Sequence, residues 1–147
     1  MSIKLEGGKE LARALQSLGP RVARKVTRQA VNASLTPVLK TARANAPEES
    51  GLLKESLDKK TKTYAENMVI VGLVGPDTTT QGTFKGELRK PSKYAHLVEE
   101  GHIDANGNFV PPHPFIRPAF DENESKMLDT MSQRLGKGIE REAAKQA

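Results

Sequence analysis

The most informative part of the sequence for the fold is the basic, amphipathic segment at residues 20–44, PRVARKVTRQAVNASLTPVLKTARA. Pro37 lies inside this helical pattern, where a proline removes one backbone hydrogen bond and clashes with the preceding turn, at a cost of about 3 kcal/mol. We therefore expect either a kink near Ala33–Pro37 or two helices. The apolar side chains recur with the 3.6-residue period of an α-helix, on two adjacent lines: Val22, Val26, Ala30, Ala33 and Val31, Leu35, Val38, Ala42.

The neighbouring segments predict a shorter helix before this one and a β-hairpin after it. Three leucines at helical spacing favour a helix over residues 7–19. At residues 57–75 the period changes to two, which is typical of strands. The β-branched run Met68–Val74 is then the second strand of the hairpin, after a turn at Glu66-Asn67.

Residues 76–91 contain almost no apolar side chains, which predicts a long flexible loop that orders against a neighbouring protein. The sequence thus predicts a single domain, 1–147, of the α+β class, in which a small antiparallel sheet is packed by a long N-terminal helix and a C-terminal helix. Its predicted parts are N-terminal helices at 1–46, a hairpin at 57–75, the loop at 76–91, a short helix at 92–101, a hairpin and proline-rich crossing at 102–119, and a C-terminal helix at 120–147.

Composition excludes several classes of protein. The 147 residues contain no cysteine, which rules out a disulfide scaffold, a cysteine-ligated zinc site and a thiol nucleophile. The start of the sequence lacks the apolar segment of a signal peptide, and the longest apolar run is far shorter than the ~18 residues of a membrane span. We therefore expect a soluble protein of the cytoplasm.

The net charge of +5 is unevenly distributed. Residues 1–46 carry nine basic and two acidic side chains, which suggests a surface for an acidic partner. We expect this basic surface to pair with an acidic one on a neighbouring subunit, and the predicted loop to supply further basic contacts. The candidate partner-binding residues are Arg21, Arg24, Lys25 and Arg28 on the helix, Glu99, Glu100 and Asp104 on the acidic side, and Lys85, Arg89 and Lys90 in the loop.

No catalytic constellation emerges from the sequence. It has neither the Gly-x-Ser-x-Gly elbow of serine hydrolases nor a phosphate-binding glycine-rich loop, so we expect no enzyme, no catalytic residue, no metal and no cofactor. Two alternatives remain open. The basic helix is compatible with a nucleic-acid-binding module, and His96, Glu100 and His102 lie close enough in sequence for a small metal-dependent hydrolase.

The sequence contains three motifs in a fixed order: Ala46-Pro47-x-x-Ser50-Gly51-x-Leu53, Tyr94-Ala95-x-x-Val98-Glu99-x-Gly101 and Pro114-Phe115-Ile116-Arg117-Pro118-Ala119. In this order they resemble the tail-completion, or head–tail joining, proteins of long-tailed bacteriophages and prophages, the family typified by the tenth gene product of a lambdoid phage. The resemblance extends over residues 5–145. In the family a threonine follows the glycine of the second motif, where this chain has His102.

This resemblance implies a structural protein of the virion neck or tail, made in the host cytoplasm, without catalytic activity. Such proteins assemble into a ring, often of six copies, between the head connector and the tail tube. The implied partners are other copies of the chain, head-closure or connector proteins, tail-terminator or tail-tube proteins, and DNA in the lumen through non-specific contact. The motif residues expected to have structural roles are Pro47, Gly51, Tyr94, Gly101, Pro114, Phe115 and Pro118.

Overall fold

The computed structural model describes residues 7–64, 66 and 69–146. Met68 of the predicted second strand and Asn67 of the predicted turn lie outside the described residues. The helices are α1 (Gly8–Ser17), α2 (Pro20–Ser34), α3 (Thr36–Asn45), α4 (Leu52–Ser56), α5 (Pro91–Glu100), α6 (Arg117–Glu122) and α7 (Glu124–Gln146). The strands are β1 (Leu57–Tyr64), β2 (Val69–Pro76), β3 (Gly82–Phe84), β4 (Glu87–Arg89), β5 (His102–Ile103) and β6 (Phe109–Val110).

The α+β class is confirmed. Within the described ranges the strands form three two-stranded sheets, which pair β1 with β2, β3 with β4 and β5 with β6. The chain divides into two compact units. Unit 1 contains the described parts of residues 1–36, 60–73 and 124–147, and unit 2 contains residues 37–59 and 74–123.

The proline in the basic segment at residues 20–44 produces two helices. Helix α2 ends at Ser34, and α3 begins two residues later at Thr36. The Leu35 amide bonds to the Asn32 carbonyl, three residues back, at 3.3 Å, so the helix tightens at this point. Pro37 has no N–H to donate to the carbonyl of Ala33, which explains why the helix is interrupted here.

Unit 1 is built around the packing of α2 on α7. Val26, Ala30 and Leu135 are buried at its centre, surrounded by half-buried side chains of α1, α2 and α7. The closest approach of the two helices is at Gly138, where a Cβ atom would lie 2.6 Å from Val26 Cγ1. Gly138 therefore provides the space that lets α2 lie against α7. The surrounding side chains are Leu11, Leu15, Val22, Met131 and Ile139.

Unit 2 contains the short elements. Phe115, one of the motif residues expected to have a structural role, lies before α6 and is fully buried. Asn123 separates α6 from α7, because its side-chain amide donates to the Ala119 carbonyl and to Thr41 Oγ1, both at 2.8 Å. The sequence predicts one helix over residues 120–147 and does not show this break.

The expected loop at residues 76–91 contains the β3–β4 hairpin. Within this segment, Gly82 packs closely against the apolar side chain of Leu52 in α4, a contact that the composition does not reveal. A Cβ atom at Gly82 would lie 2.6 Å from Leu52 Cδ2. Its turn is Lys85-Gly86, with φ angles of 50° and 80°. The chain therefore orders this segment partly by itself, through a glycine that lies against a leucine of α4.

The two glycines of α7 give a matched test of this packing. Gly138→Ala should destabilise the protein by about 1–3 kcal/mol, because the added methyl group overlaps the buried, stiff side chain of Val26. Gly136→Ala, which places its new methyl group more than 4 Å from any atom it could overlap, should instead stabilise the protein by about 0.5–1 kcal/mol through helix propensity. Urea unfolding of both variants measures the difference, and equal effects would contradict the close approach of α2 and α7.

Candidate interaction surfaces

The Glu99 carboxylate binds the start of α6. Its Oε2 accepts hydrogen bonds from the amides of Phe115 and Ile116 at 2.8 and 3.1 Å, and its Oε1 accepts one from Arg117 at 3.0 Å. The first amides of a helix have no partner inside the helix and carry partial positive charge, so a carboxylate is favourable there. This offsets the unfavourable place of Glu99 in the last turn of α5. The sequence predicts that Glu99 is a surface residue, whereas the residue is half-buried and its charge acts inside the subunit.

Gly101 allows the chain to turn next to this contact. Its φ is +76°, and a Cβ atom would lie 2.8 Å from both the Val110 carbonyl oxygen and the Pro112 nitrogen. The His113 amide also donates to the Val98 carbonyl at 2.8 Å. The second and third sequence motifs are therefore parts of one structure, in which the end of α5 holds the proline-rich segment.

The β5–β6 hairpin presents two large apolar side chains to solvent. Ile103 and Phe109 are directly opposite each other across the strands and are 63% and 68% exposed. Asp104 fixes the loop between them, because Oδ1 accepts hydrogen bonds from the amides of Asn106 and Asn108 at 2.9 and 2.8 Å. The hydrogen bond from the Asn108 amide contributes most to lowering the pKa of Asp104. Together with the bond from Asn106, it outweighs desolvation, which would raise this pKa. The hairpin is thus a rigid, exposed apolar site with its acidic side chain engaged in its own turn.

The β3–β4 hairpin carries two of the predicted basic residues. Lys85 Nζ and Arg89 Cζ lie 5.3 and 5.5 Å from the centre of the Phe84 ring, within the range of a cation–π contact. Lys85 also lies 3.8 Å from Glu49, and both side chains are exposed, so this ion pair contributes little stability. Leu88 on β4 is exposed. The hairpin therefore offers one apolar and two basic side chains to solvent.

Asp77 organises the segment before β3. Its carboxylate accepts hydrogen bonds from the amides of Thr79 and Thr80 at 2.9 and 2.6 Å and from both threonine hydroxyls. Hydrogen bonds from the Thr80 hydroxyl and amide lower the pKa of Asp77 to about 2. The Asp77 amide donates to the Ser56 carbonyl at 2.8 Å, which attaches this turn to the end of α4.

Four basic residues of α2 line one surface cleft of about 360 Å³, which we call the basic cleft. Their spacing of i, i+3, i+4 and i+7 puts them on one face of the helix. Arg28 Nε donates to Thr61 Oγ1 at 3.1 Å. The lining of the cleft consists of Arg21, Arg24, Lys25, Arg28, Gln29 and Thr63.

A buried carboxylate lies beside this basic face. Glu142 of α7 has Oε1 3.3 Å from Lys25 Nζ, 3.7 Å from Arg141 Nε and 3.5 Å from Lys145 Nζ. Burial raises the pKa of Glu142, but the hydrogen bond from Lys25 and the charges of Lys145 and Lys25 outweigh it, so the pKa lies below its ordinary value. Three cations thus share one negative charge. Glu142 is not among the residues predicted from the sequence, since nothing in the helical pattern distinguishes it from an exposed glutamate.

The remaining predicted residues have varied positions. Glu100 is exposed, and Lys90 is the half-buried residue before α5. Gly51 precedes α4 with a φ of +74°. Of the other motif residues, Pro114 is exposed, whereas three are half-buried: Pro47, Tyr94 and Pro118.

The structure offers no support for the metal-dependent hydrolase. His96 is exposed, and His102 Nδ1 lies 3.4 Å from the Leu97 carbonyl oxygen. Among the described residues, no three histidine, cysteine or acidic side chains are grouped so that they could hold a metal ion. In the same part of the chain, no helix has the length and apolar character needed to span a membrane.

Loss of the Glu99 charge should weaken the fold. Glu99→Gln should lower the free energy of unfolding by about 1–3 kcal/mol, because one carboxylate accepts three backbone hydrogen bonds and an amide cannot replace it. Glu100→Gln, at the exposed neighbouring position, is the matched control and should change stability by less than about 0.5 kcal/mol. Denaturant unfolding compares the two, and an equal loss in both variants would show that the α6 contact is unimportant.

The low pKa of Asp77 predicts an acid-sensitive contribution to stability. The Asp77 carboxyl has a pKa of about 2 in the folded protein, against an ordinary value of 3.8. Its ionised form therefore stabilises the fold at pH values above 3.8, and this contribution disappears as the pH falls towards 2. The stability difference between wild type and Asp77→Asn should therefore be larger at about pH 6 than at about pH 2.5. Asp121→Asn, at an exposed carboxylate, controls for general charge effects. A pH-independent difference for Asp77→Asn would refute the prediction.

Comparison with known proteins assigns a family. No curated protein and no solved structure matches the chain. A family model described as "Bacteriophage HK97-gp10, putative tail-component" matches residues 9–101. The match includes α1 to α5, the β1–β2 and β3–β4 pairs, and the first two sequence motifs. Since it extends over more than half of the sequence, the chain belongs to the HK97-gp10-like family of bacteriophage tail components.

Proposed function

We propose that the protein completes the tail and joins it to the head, as one subunit of a ring in the neck of the virion. Its membership in a family of tail components makes it a structural part of the virion that contacts other phage proteins. The proposed partners are further copies of the chain, often six, on one side a head-closure or connector protein, and on the other a tail-terminator or tail-tube protein. Assembly takes place in the host cytoplasm.

The observation that carries the ring proposal is the exposed apolar pair on the β5–β6 hairpin. Two large side chains, Ile103 and Phe109, lie side by side on a loop that Asp104 holds in one conformation. Burial of apolar area is the main source of affinity between proteins, and a rigid element loses little conformational entropy on binding. In the proposed ring this hairpin inserts against the neighbouring subunit.

A ring also needs two different surfaces on each subunit, because its contacts run head to tail. We also propose that the basic residues of α2 pair with the acidic residues near the β5–β6 hairpin of the neighbouring subunit and so set the register of these contacts. Within the acidic group, Glu99 and Asp104 already accept internal hydrogen bonds. Glu100 is exposed and is therefore the acidic side chain that we propose for contact with a neighbour.

Removal of the apolar pair should prevent joining. The double variant Ile103→Ser/Phe109→Ser should fold normally by circular dichroism and lower the yield of joined particles at least tenfold. The yield is counted by electron microscopy after each variant is added to a lysate that lacks the protein. The matched control is Tyr64→Ser/Leu73→Ser, which removes two other exposed apolar side chains, 53% and 42% accessible, from the β1–β2 sheet.

The two parts of the proposal fail separately. Normal joining in the lysate without any added protein would reject the head–tail joining function. If the protein is required but the hairpin variant joins heads and tails as well as wild type does, the function stands and the hairpin interface is rejected.

A further inference from the structure

The positive charge of the molecule is concentrated in unit 1. Its described residues carry thirteen basic and six acidic side chains, whereas unit 2 carries nine basic and eleven acidic ones. The basic cleft lies entirely in unit 1, on the face formed by α2 and β1. A cleft of one sign of charge concentrates the field and attracts polyanions.

Arg21 and Arg28 of the basic cleft keep their positive charge for an external ligand. Among the described residues, no carboxylate lies within 4.0 Å of Arg21 or Arg28. Arg28 is oriented by a neutral hydroxyl, that of Thr61, so its guanidinium is positioned without being neutralised. Glu142 is shared by three cations, so its single negative charge leaves a local excess of two positive charges.

The cleft also contains neutral hydrogen-bonding groups beside its cations. The Thr63 hydroxyl is buried and has no hydrogen-bond partner in the described part of the chain. Gln29 is held in place by Arg141, whose Nη2 donates to Gln29 Oε1 at 3.0 Å. A buried hydroxyl without a partner is unfavourable, and an oxygen-rich anion seated in the cleft would satisfy it.

The length of the basic face fits a phosphate backbone. Arg21 and Arg28 are seven residues apart, which is about 10 Å along a helix. Duplex nucleic acid carries one charge per ~1.7 Å of its axis, so this face spans about six phosphates on the two strands. Among the described residues, no aromatic side chain lines the cleft, so this part of the chain offers bases no ring to stack on. These features favour contact with the backbone of a duplex over recognition of bases.

We propose that the basic cleft binds the phosphodiester backbone of double-stranded nucleic acid without sequence specificity. This function does not use the apolar contact proposed for the ring, because the cleft belongs to unit 1 and the exposed apolar hairpin belongs to unit 2. Pairing of these basic residues with a carboxylate surface on a second copy is less favoured. Of the three acidic candidates, Glu99 and Asp104 accept hydrogen bonds within their own subunit, which leaves the exposed Glu100.

The salt dependence of DNA binding tests the proposal. The full chain is titrated into a fluorescent duplex of about 20 base pairs and arbitrary sequence, and anisotropy is measured between about 50 and 200 mM salt. Each phosphate contact contributes about −0.9 to the slope of log affinity against log salt, so Arg21 and Arg28 alone predict a contribution of about −2. In Arg21→Gln/Arg28→Gln the slope should fall by about 2 in magnitude, with at least about a tenfold loss of affinity at about 100 mM salt.

Charge-matched variants separate the cleft from the overall charge of the protein. Arg134→Gln/Lys137→Gln removes two cations of α7 that do not line the cleft, and it should bind as wild type does. If the double variant misfolds, Arg21→Gln alone takes its place, because it leaves the Arg28–Thr61 hydrogen bond intact. This single variant should lower the magnitude of the slope by about 1. Equal losses in the cleft and control variants would overturn the proposal. The proposal would also be overturned if the wild-type protein did not bind the duplex but bound polyglutamate through the cleft, because the ligand of the cleft would then be an acidic protein surface.

Discussion

The three hydrogen bonds that Glu99 accepts are the contact on which unit 2 depends. They fix the end of α5 against the start of α6, and the chain between these two points includes the β5–β6 hairpin. A carboxylate is suited to this position because it can accept several bonds at once and its charge opposes the positive end of α6. Gly101 completes the arrangement, since only a residue without a side chain fits between α5 and the Val110 carbonyl.

This arrangement explains why a short hairpin of two-residue strands can present large apolar side chains. Both its ends are tied to α5, one through Gly101 and the other through the His113 amide, and its loop is closed by Asp104. The conformational entropy lost in ordering the hairpin is therefore offset by contacts within the subunit, before any partner binds. In an assembly of tail components, a contact prepared in this way loses less entropy when it forms.

Unit 1 follows a different physical principle. Its helices α2 and α7 lie close together because Gly138 leaves room for Val26, and this packing brings Glu142 next to the cations of α2. One buried carboxylate among Lys25, Arg141 and Lys145 holds the cations in place without cancelling their charge. The apolar hairpin and the basic cleft thus belong to different units and rely on different forces. The contact proposed for the hairpin depends on apolar burial and the contact proposed for the cleft depends on charge, so a change in salt concentration distinguishes the two.

Three features could be predicted from the amino-acid sequence: the α+β class, the interruption of the long basic helix at Pro37, and the resemblance to phage tail proteins. These depend on local rules: helical periodicity, the missing amide of proline, and the order of short motifs. Four others emerge only in the folded chain: the role of Glu99, the contact of Gly82 with Leu52, the exposure of Phe109 and the sharing of Glu142 by three cations. Each of these depends on residues far apart in the chain, and the type of a side chain does not state which distant atoms it will meet.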